Sequence, residues 1–224
     1  MSNKYFKGAK ISEGTFRRIV RCFAEDCTAT ETAQETGVSP RSVNPIFFRI
    51  RKRIAEFGDV ELHASSVQVC TFRFGPKGIR GQRGRGAGRK TIFLVLYGED
   101  DKVFLEEIPN ETNATIHPIM LDRLALETEV RTNGMWTFHS LPKIGFVNHI
   151  QTKGKITPFR EQPHWHGAPE IQQFWWATER DLKKFLGLPM GSRSLHLKER
   201  AFRHNMRNED LYQVLLELLR THPL

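Results

Sequence analysis

Apolar residues in the N-terminal quarter of the chain recur at helical spacing and predict three helices. Ser12 can cap the first helix. The buried face of that helix is expected to contain Phe16, Ile19, Val20 and Phe23. A short second helix is expected over 31–36 and ends at Gly37. The third helix starts at Ser39, a suitable N-cap, with Pro40 at the first helical position.

The rest of the chain mixes strand-like and helix-like patterns. Strands are expected at 59–69, 91–97, 102–108, 128–132 and 144–150. Helices are expected at 114–124, 169–189, 194–206 and 210–220, and 136–141 reads as a short helix or loop. This order favours an α/β fold with a mixed sheet and packing helices.

The segment 169–189 is predicted to form an amphipathic helix. One face carries Ile171, Phe174, Trp175, Leu182, Phe185 and Leu186. Gly187 and Pro189 provide a stop signal. A helix with so apolar a face must pack on a large surface, so we expect a core-packing helix.

The second and third predicted helices, joined by a glycine-containing turn, have the pattern of a helix-turn-helix. In that motif the N-terminal residues of the second helix contact base edges in the major groove. Here those residues are Arg41, Ser42 and Asn44, and arginine and asparagine suit guanine and adenine edges. The phosphate contacts are expected from Arg49, Arg51, Lys52 and Arg53. A small helical bundle with a solvated basic face would give the same pattern.

One residue conflicts with this interpretation. Pro45 lies inside the predicted recognition helix, where a proline removes a backbone donor and crowds the preceding turn. We therefore expect the helix to kink or to end early.

The charge balance favours a polyanionic partner. The chain has 34 Lys and Arg against 25 Asp and Glu, a net charge of +9. A glycine-rich segment, 75–90, adds Arg80, Arg83, Arg85, Arg89 and Lys90. It contains no acidic residue, so it could wrap a phosphate backbone, although a flexible solvated linker would have the same composition.

Cysteine usage and hydropathy point to a cytoplasmic protein. The three cysteines show no metal-binding or disulfide spacing, which is typical of a reducing compartment. No apolar run approaches the length of a membrane span, and the N-terminus lacks a signal-peptide pattern. We expect a cytoplasmic protein with no membrane partner, associated with the nucleoid when bound to DNA.

Four long segments carry a resemblance to a known family. They cover 11–44, 130–149, 170–189 and 195–219. The chain resembles a transposase of a small bacterial insertion sequence, of the DDE class, nearly end to end. The resemblance implies a helix-turn-helix DNA-binding module at 1–57. It also implies an RNase-H-like catalytic domain at 58–224, which includes the segment 75–90 and the C-terminal helices.

The same resemblance implies a site for two Mg²⁺ or Mn²⁺ ions held by three carboxylates, which cleaves DNA and transfers strands. The three acid positions fall on His63, Asn133 and Gln172. An imidazole and two neutral amides do not suit magnesium, which prefers charged oxygen ligands. We therefore predict no metal site and no required cofactor.

Two nearby acids are candidate substitutes. Glu61 shares the strand parity of His63, whereas Glu170 precedes Gln172 by two residues and so turns away from its helix face. Three functions remain open: a catalytically inactive DNA-binding protein, an active transposase that uses displaced acids, and a basic module for RNA or protein binding. Double-stranded DNA is the expected partner, and the resemblance also implies a homo-oligomer.

Overall fold

The computed structural model describes residues 3–8, 10–75, 90–151, 170–184 and 188–224. The helices are α1 Glu13–Ala24, α2 Ala29–Thr36, α3 Pro40–Phe57, α4 Asn113–Arg123, α5 Glu170–Leu182, α6 Met190–Asn205 and α7 Leu211–Thr221, with a 3₁₀ segment at Trp136–Ile144. The strands are β1 Ser66–Phe74, β2 Thr91–Gly98, β3 Val103–Ile108, β4 Glu129–Thr132 and β5 His149–Gln151. The predicted mixed α/β fold is confirmed, because N-terminal helices precede a five-stranded mixed sheet with packing helices.

The chain divides into two compact units. The first contains residues 1–59 and 198–224, and the second contains residues 60–197. From the sequence we placed the C-terminal helices with the second domain. In the structure, residues 198–224 instead belong to the same unit as the N-terminal helices, because Phe202, Leu215 and Leu219 share their apolar core.

The caps and the glycine turn of the N-terminal helices lie where the sequence indicates, although α2 begins two residues earlier than predicted. The Ser12 hydroxyl accepts a hydrogen bond from the backbone N–H of Thr15 at the start of α1. Thr28 and Glu31 form a complete capping box at the start of α2. Gly37 ends α2 with φ of +75°, a left-handed conformation that glycine adopts without steric cost. These local signals fix the turn that leads into α3.

A network of buried charges holds the first unit together. Glu199 is 1% exposed, and its carboxylate lies 2.6 Å from Nε of Arg51 and 2.8 Å from Nε of Arg203. Arg200 pairs with Asp26 at 2.5 Å. Arg203 also donates to the carbonyls of the last turn of α1. The network therefore links α1, α3 and the C-terminal half of α6.

The electrostatics of this network favour the ionised carboxylate. Burial alone would raise the pKa of Glu199, but the guanidinium groups of Arg51, Arg203 and Arg200 hold that pKa below its usual value. A charge that is buried among paired partners contributes little by its presence, yet its removal leaves the partners uncompensated.

The second unit is built on the sheet, whose strand order is β3-β2-β1-β4-β5. Strands β1, β2 and β3 are antiparallel neighbours, whereas β1 pairs with β4, and β4 with β5, in parallel. Strand β1 is therefore central, with hydrogen-bonded partners on both edges. One face of the sheet packs on α4 and the 3₁₀ segment through Ile116, Met120, Phe138 and Leu141.

Helix α5 packs on the opposite face of the sheet, in agreement with the predicted core-packing helix. Trp175 stacks on Phe72 of β1 with ring centroids 4.5 Å apart and planes at 11°. Its ring centroid also lies 6.4 Å from that of Phe93 on β2. The helix ends at Leu182, and Phe185, Leu186 and Gly187 of the predicted segment lie outside the described residues.

Two predicted strands are placed differently by the structure. The first was expected at 59–69 but runs from Ser66 to Phe74, because β2 ends at Gly98, which pairs with Val67, and offers no partner to earlier residues. The last was expected at 144–150 but covers only His149–Gln151. Gly145, with φ of +110°, ends the 3₁₀ segment there, and the four-residue β4 leaves little edge for pairing.

Pro45 does not end helix α3. Helix α3 continues through Pro45 to Phe57. Pro45 is exposed, so the Arg41 carbonyl that loses its helical donor lies on a side that water can reach. The expectation of an early end is therefore wrong. In the described residues, none of the helices is both long and apolar enough to cross a membrane.

Replacing Glu199 with Ala should lower the free energy of unfolding of the first unit by about 3–5 kcal/mol, because three guanidinium groups lose their shared buried partner. Urea unfolding followed by far-UV circular dichroism measures the change. All four tryptophans belong to residues 60–197, so their fluorescence reports the second unit separately.

The matched control is Glu217→Ala, since Glu217 forms an ion pair with Arg220 in which both side chains are 61% exposed. Exposed pairs contribute at most about 1 kcal/mol. Equal destabilisation by the two substitutions would show that the buried network does not hold the unit together.

Candidate functional site

Helix α3 divides its side chains between a buried face and an exposed face. Its buried residues are Val43, Ile46, Phe47, Ile50, Arg51 and Ile54. The residues predicted to contact bases, Arg41, Ser42 and Asn44, are all exposed. The helix start also agrees with the prediction, because Ser39 precedes Pro40 at the first helical position. The first turns of α3 thus expose one guanidinium group, on Arg41, and one amide group, on Asn44, to solvent.

The predicted phosphate contacts on α3 fall into two groups. Arg49 and Lys52 are exposed; the guanidinium of Arg49 lies 5.0 Å from the centre of the Phe6 ring, and Lys52 lies 3.9 Å from Glu56. Arg51 is only 8% exposed and is bound to Glu199, so its prediction as a phosphate contact is corrected to a structural role.

Arg53 is likewise engaged within the first unit. It is half-buried and donates two hydrogen bonds to the Pro223 carbonyl, at 3.2 and 2.8 Å. A guanidinium held in this way anchors the C-terminus instead of projecting towards a ligand. Of the basic segment 75–90, only Lys90 is described among its predicted DNA contacts, and it is exposed; the others, Arg80, Arg83, Arg85 and Arg89, lie outside the described residues.

The structure corrects the first of the three catalytic positions. His63 precedes β1 instead of lying within it, and its side chain is 79% exposed. Its ring lies 3.5 Å from the carboxylate of Glu61, which is itself 84% exposed. Neither residue belongs to the sheet, so the shared strand parity on which the substitute role of Glu61 depended does not apply.

Cys70 occupies the place on β1 that lies beside Asn133. In the parallel pairing of β1 with β4, Val69 is opposite Thr132, so the next residues along are Cys70 and Asn133. The side-chain amide of Asn133 donates to the Cys70 sulfur at 3.4 Å, and its oxygen accepts from the backbone N–H of Met135 at 3.3 Å. Both ends of the Asn133 amide are thereby fixed at the carboxyl end of β4.

The first turn of α5 is attached to the same part of β1. The Gln68 side chain donates to the carboxylate of Glu170 and accepts from the backbone N–H of Ile171 at 3.2 Å, which satisfies one of the free donors at the start of the helix. Together with the stacking of Trp175 on Phe72, these bonds lie on either side of Cys70 along β1. The first turns of α5 therefore lie over the strand segment that carries Cys70.

Gln172 is buried at the start of α5, with 6% of its surface exposed. Within the described part of the chain, its side-chain oxygen has no hydrogen-bond partner. Burying an amide oxygen without a hydrogen-bond partner costs free energy, so Gln172 is an unfavourable polar position near the start of α5. An amide there supplies no negative charge.

The electrostatics of this region do not match a divalent-cation site. Burial raises the pKa of the Cys70 thiol to about 12, so the sulfur remains protonated and neutral at ordinary pH. The hydrogen bond from Gln68 lowers the pKa of the nearby Glu170 carboxyl group, which favours its ionised form. Its negative charge is thus already used to hold the helix to the strand.

The side chains at these positions on β1, directly after β4 and on α5 do not fit the pair of Mg²⁺ or Mn²⁺ ions that the resemblance implies. Such ions need several charged oxygen ligands, whereas Cys70, Asn133 and Gln172 offer a neutral thiol and two amides. Across the described residues, no group of three or more His, Cys, Asp or Glu side chains could hold a metal ion.

Comparisons with known proteins identify no family for this chain. No family model matches the chain, and the comparison with curated proteins gives no match. The chain is similar to a chain of the crystal structure of a pre-cleavage Mos1 transpososome, at 11% sequence identity and a TM-score of 0.26. That alignment covers 90% of this chain and 77% of the other. A similarity this low supports no argument about site or activity.

Sequence reasoning missed Cys70 and Gln68. The signal that could have found them is the run of β-branched and aromatic residues at 66–74, in which Val67 and Val69 have strand spacing on one face and Phe72 and Phe74 on the other. A strand over that run begins several residues later than the strand predicted at 59–69. It places Cys70, instead of His63, beside Asn133.

Cys70 should resist alkylation in the folded protein. A rise of the pKa from 9.0 to about 12 lowers the thiolate fraction at pH 8 about a thousandfold, and burial excludes the reagent as well. Iodoacetamide labelling followed by peptide mass spectrometry measures this. Cys27, which is half-buried, is the internal comparison and should be labelled first. Equal labelling of both thiols before unfolding would contradict the buried position of Cys70.

Proposed function

We propose that this chain is a DNA-binding protein of the insertion-sequence transposase type that no longer carries out strand cleavage and transfer. The observation that carries DNA binding is the exposed start of α3, where Arg41, Ser42 and Asn44 project from a helix that follows a short helix and a glycine turn. The net charge of +9 supports a polyanionic partner. The proposal includes a homo-oligomer on DNA, as the resemblance implies.

The proposed loss of catalysis rests on the charge of the site. DNA cleavage through two metal ions needs ligands that neutralise and fix both ions. Cys70 is buried and protonated, Asn133 is fixed by two hydrogen bonds, and Gln172 is a buried amide. Folding can persist without the chemistry, because the site is a small set of side chains on a sheet whose stability depends on its core.

The alternative of an active enzyme that uses displaced acids lacks support in the contacts. The Glu170 carboxylate accepts from Gln68, and Glu61 lies outside the sheet beside His63. No specific contact favours the third alternative, an RNA-binding or protein-interaction module, so it enters as an outcome of the binding test.

Binding to duplex DNA should weaken steeply with added salt, because each phosphate contact contributes about −0.9 to the slope of log affinity against log salt concentration. Arg49→Ala should make this slope less steep by about 0.9, the contribution of one phosphate contact. Fluorescence anisotropy with a labelled duplex measures both quantities. Arg220→Ala is the control, since Arg220 is an exposed arginine of the same unit on α7. A flat salt dependence, or tighter binding of structured RNA than of duplex DNA, would contradict the proposal.

The natural chain should neither nick nor join DNA in the presence of Mg²⁺ or Mn²⁺. The variant Cys70→Asp/Asn133→Asp/Gln172→Glu should show manganese-dependent nicking. It places one carboxylate on β1, one directly after β4 and one in the first turn of α5, and carboxylates are the ligands that the two metal ions need. The matched variant uses His63→Asp in place of Cys70→Asp and should stay inert, since His63 lies outside β1.

Circular dichroism verifies that each variant folds. Activity in the natural chain that disappears in Glu170→Gln or Glu61→Gln would show that displaced acids hold the metal ions. Activity in the His63→Asp variant alone would show that the position implied by the resemblance, and not the strand register, locates the site.

A further inference from the structure

One large apolar side chain of α3 faces solvent. Phe48 is 49% exposed, whereas Phe47 beside it is 3% exposed and packs edge-on against Phe23. Phenylalanine at a solvent-facing position gains nothing in the isolated chain, because its apolar surface remains hydrated. Its exposed ring is therefore available to a ligand that offers apolar surface.

Phe48 lies on the same stripe of the helix as the predicted base contacts. Positions 41, 44 and 48 have the spacing i, i+3 and i+7, which places them one above another on a single face. At 1.5 Å per residue, Arg41 and Phe48 are separated by about 10 Å along the helix axis. That distance matches roughly three base pairs of duplex DNA, at 3.4 Å per pair.

The surroundings of Phe48 suit DNA better than an apolar protein surface. The exposed neighbours Arg49 and Lys52 are basic, and α3 carries no acidic residue before Glu56. An apolar protein partner would have to bury these charges, whereas phosphates on both sides of a major groove would pair with them. Charge complementarity therefore selects a nucleic-acid duplex as the occupant of this face.

The major groove offers one strongly apolar group, the 5-methyl of thymine, and phenylalanine is among the side chains that contact it. We propose that Phe48 reads a thymine through this methyl group, about one helical turn beyond Asn44. The inference rests on the proposed DNA binding and adds a specificity-determining residue to it. The recognised half-site would then combine polar readout by Arg41 and Asn44 with apolar readout by Phe48.

The test uses the full chain and a duplex selected by it from a random library. Each thymine is replaced in turn by deoxyuridine, which lacks only the methyl group. For the natural chain, one substitution should weaken binding about fourfold, the effect of losing one buried methyl. Phe48→Ala should weaken binding to the thymine duplex by at least this factor and should no longer distinguish thymine from uracil at that position. Phe48→Leu should retain part of the discrimination.

The control variant is Phe57→Ala. Phe57 is 47% exposed at the far end of the same helix and stacks on His222, so this variant should keep the thymine preference of the natural chain. Circular dichroism confirms that the variants fold. Thymine discrimination that persists in Phe48→Ala, or a uniform response to every deoxyuridine, would overturn the inference.

Two further outcomes separate this inference from the proposed function. If the natural chain binds no duplex, the proposed function itself fails. If binding depends on Arg41 and Asn44 but no thymine methyl matters, DNA binding stands and only the role of Phe48 is wrong. A change of oligomeric state in Phe48→Ala, measured by sedimentation and without any thymine effect, would assign the residue to contact with a second copy and overturn the inference.

Discussion

The central strand β1 must find hydrogen-bond partners on both of its edges, and the arrangement of the second unit depends on that requirement. Its antiparallel register with β2 is fixed from Val67 to Phe74, and its parallel register with β4 is fixed from Ser66 to Val69. A shift by one residue would move every side chain of the strand to the other face. The register therefore places Cys70 beside Asn133 and leaves His63 outside the sheet.

The contacts that hold the candidate site in the fold do not depend on acidic residues at the predicted metal-binding positions. Phe72 and Trp175 supply the contact between α5 and the sheet, and Gln68 satisfies the start of the helix. None of these contacts requires an acidic residue at the three positions that the resemblance assigns to metal binding. The amides Asn133 and Gln172 occupy two of these positions, and His63 occupies the third outside the sheet, while the apolar core stabilises the fold.

In the first unit, one helix carries a buried supporting face and an exposed face that we propose binds DNA. The buried face of α3 packs in the core, and Arg51 joins the charge network around Glu199. The exposed face then carries Arg41, Asn44 and Phe48 on a backbone that has little freedom to move. A rigid helix of this kind keeps the loss of conformational entropy on binding small, which favours recognition of a regular surface such as a groove.

Local signals in the sequence determined the secondary structure of the N-terminal helices and the amphipathic character of α5. The Ser12 cap, the Gly37 turn and the Ser39-Pro40 helix start act over a few residues, so they can be identified without knowledge of the rest of the chain. The apolar face with Ile171 and Trp175 likewise identified the helix that covers the sheet. The mixed α/β class followed from the order of these patterns.

Only the tertiary structure decided which residues share a site and which basic residues are free to bind. The segments 59–69 and 66–74 both have strand-like patterns, and pairing with β2 and β4 selected the second. Arg51 and Arg49 look alike in the sequence, yet Glu199, almost 150 residues away, draws one of them into the core. Hydrogen-bond partners and buried counter-charges lie far apart along the chain, and for that physical reason the sequence alone could not place Cys70, Arg51 or Arg53.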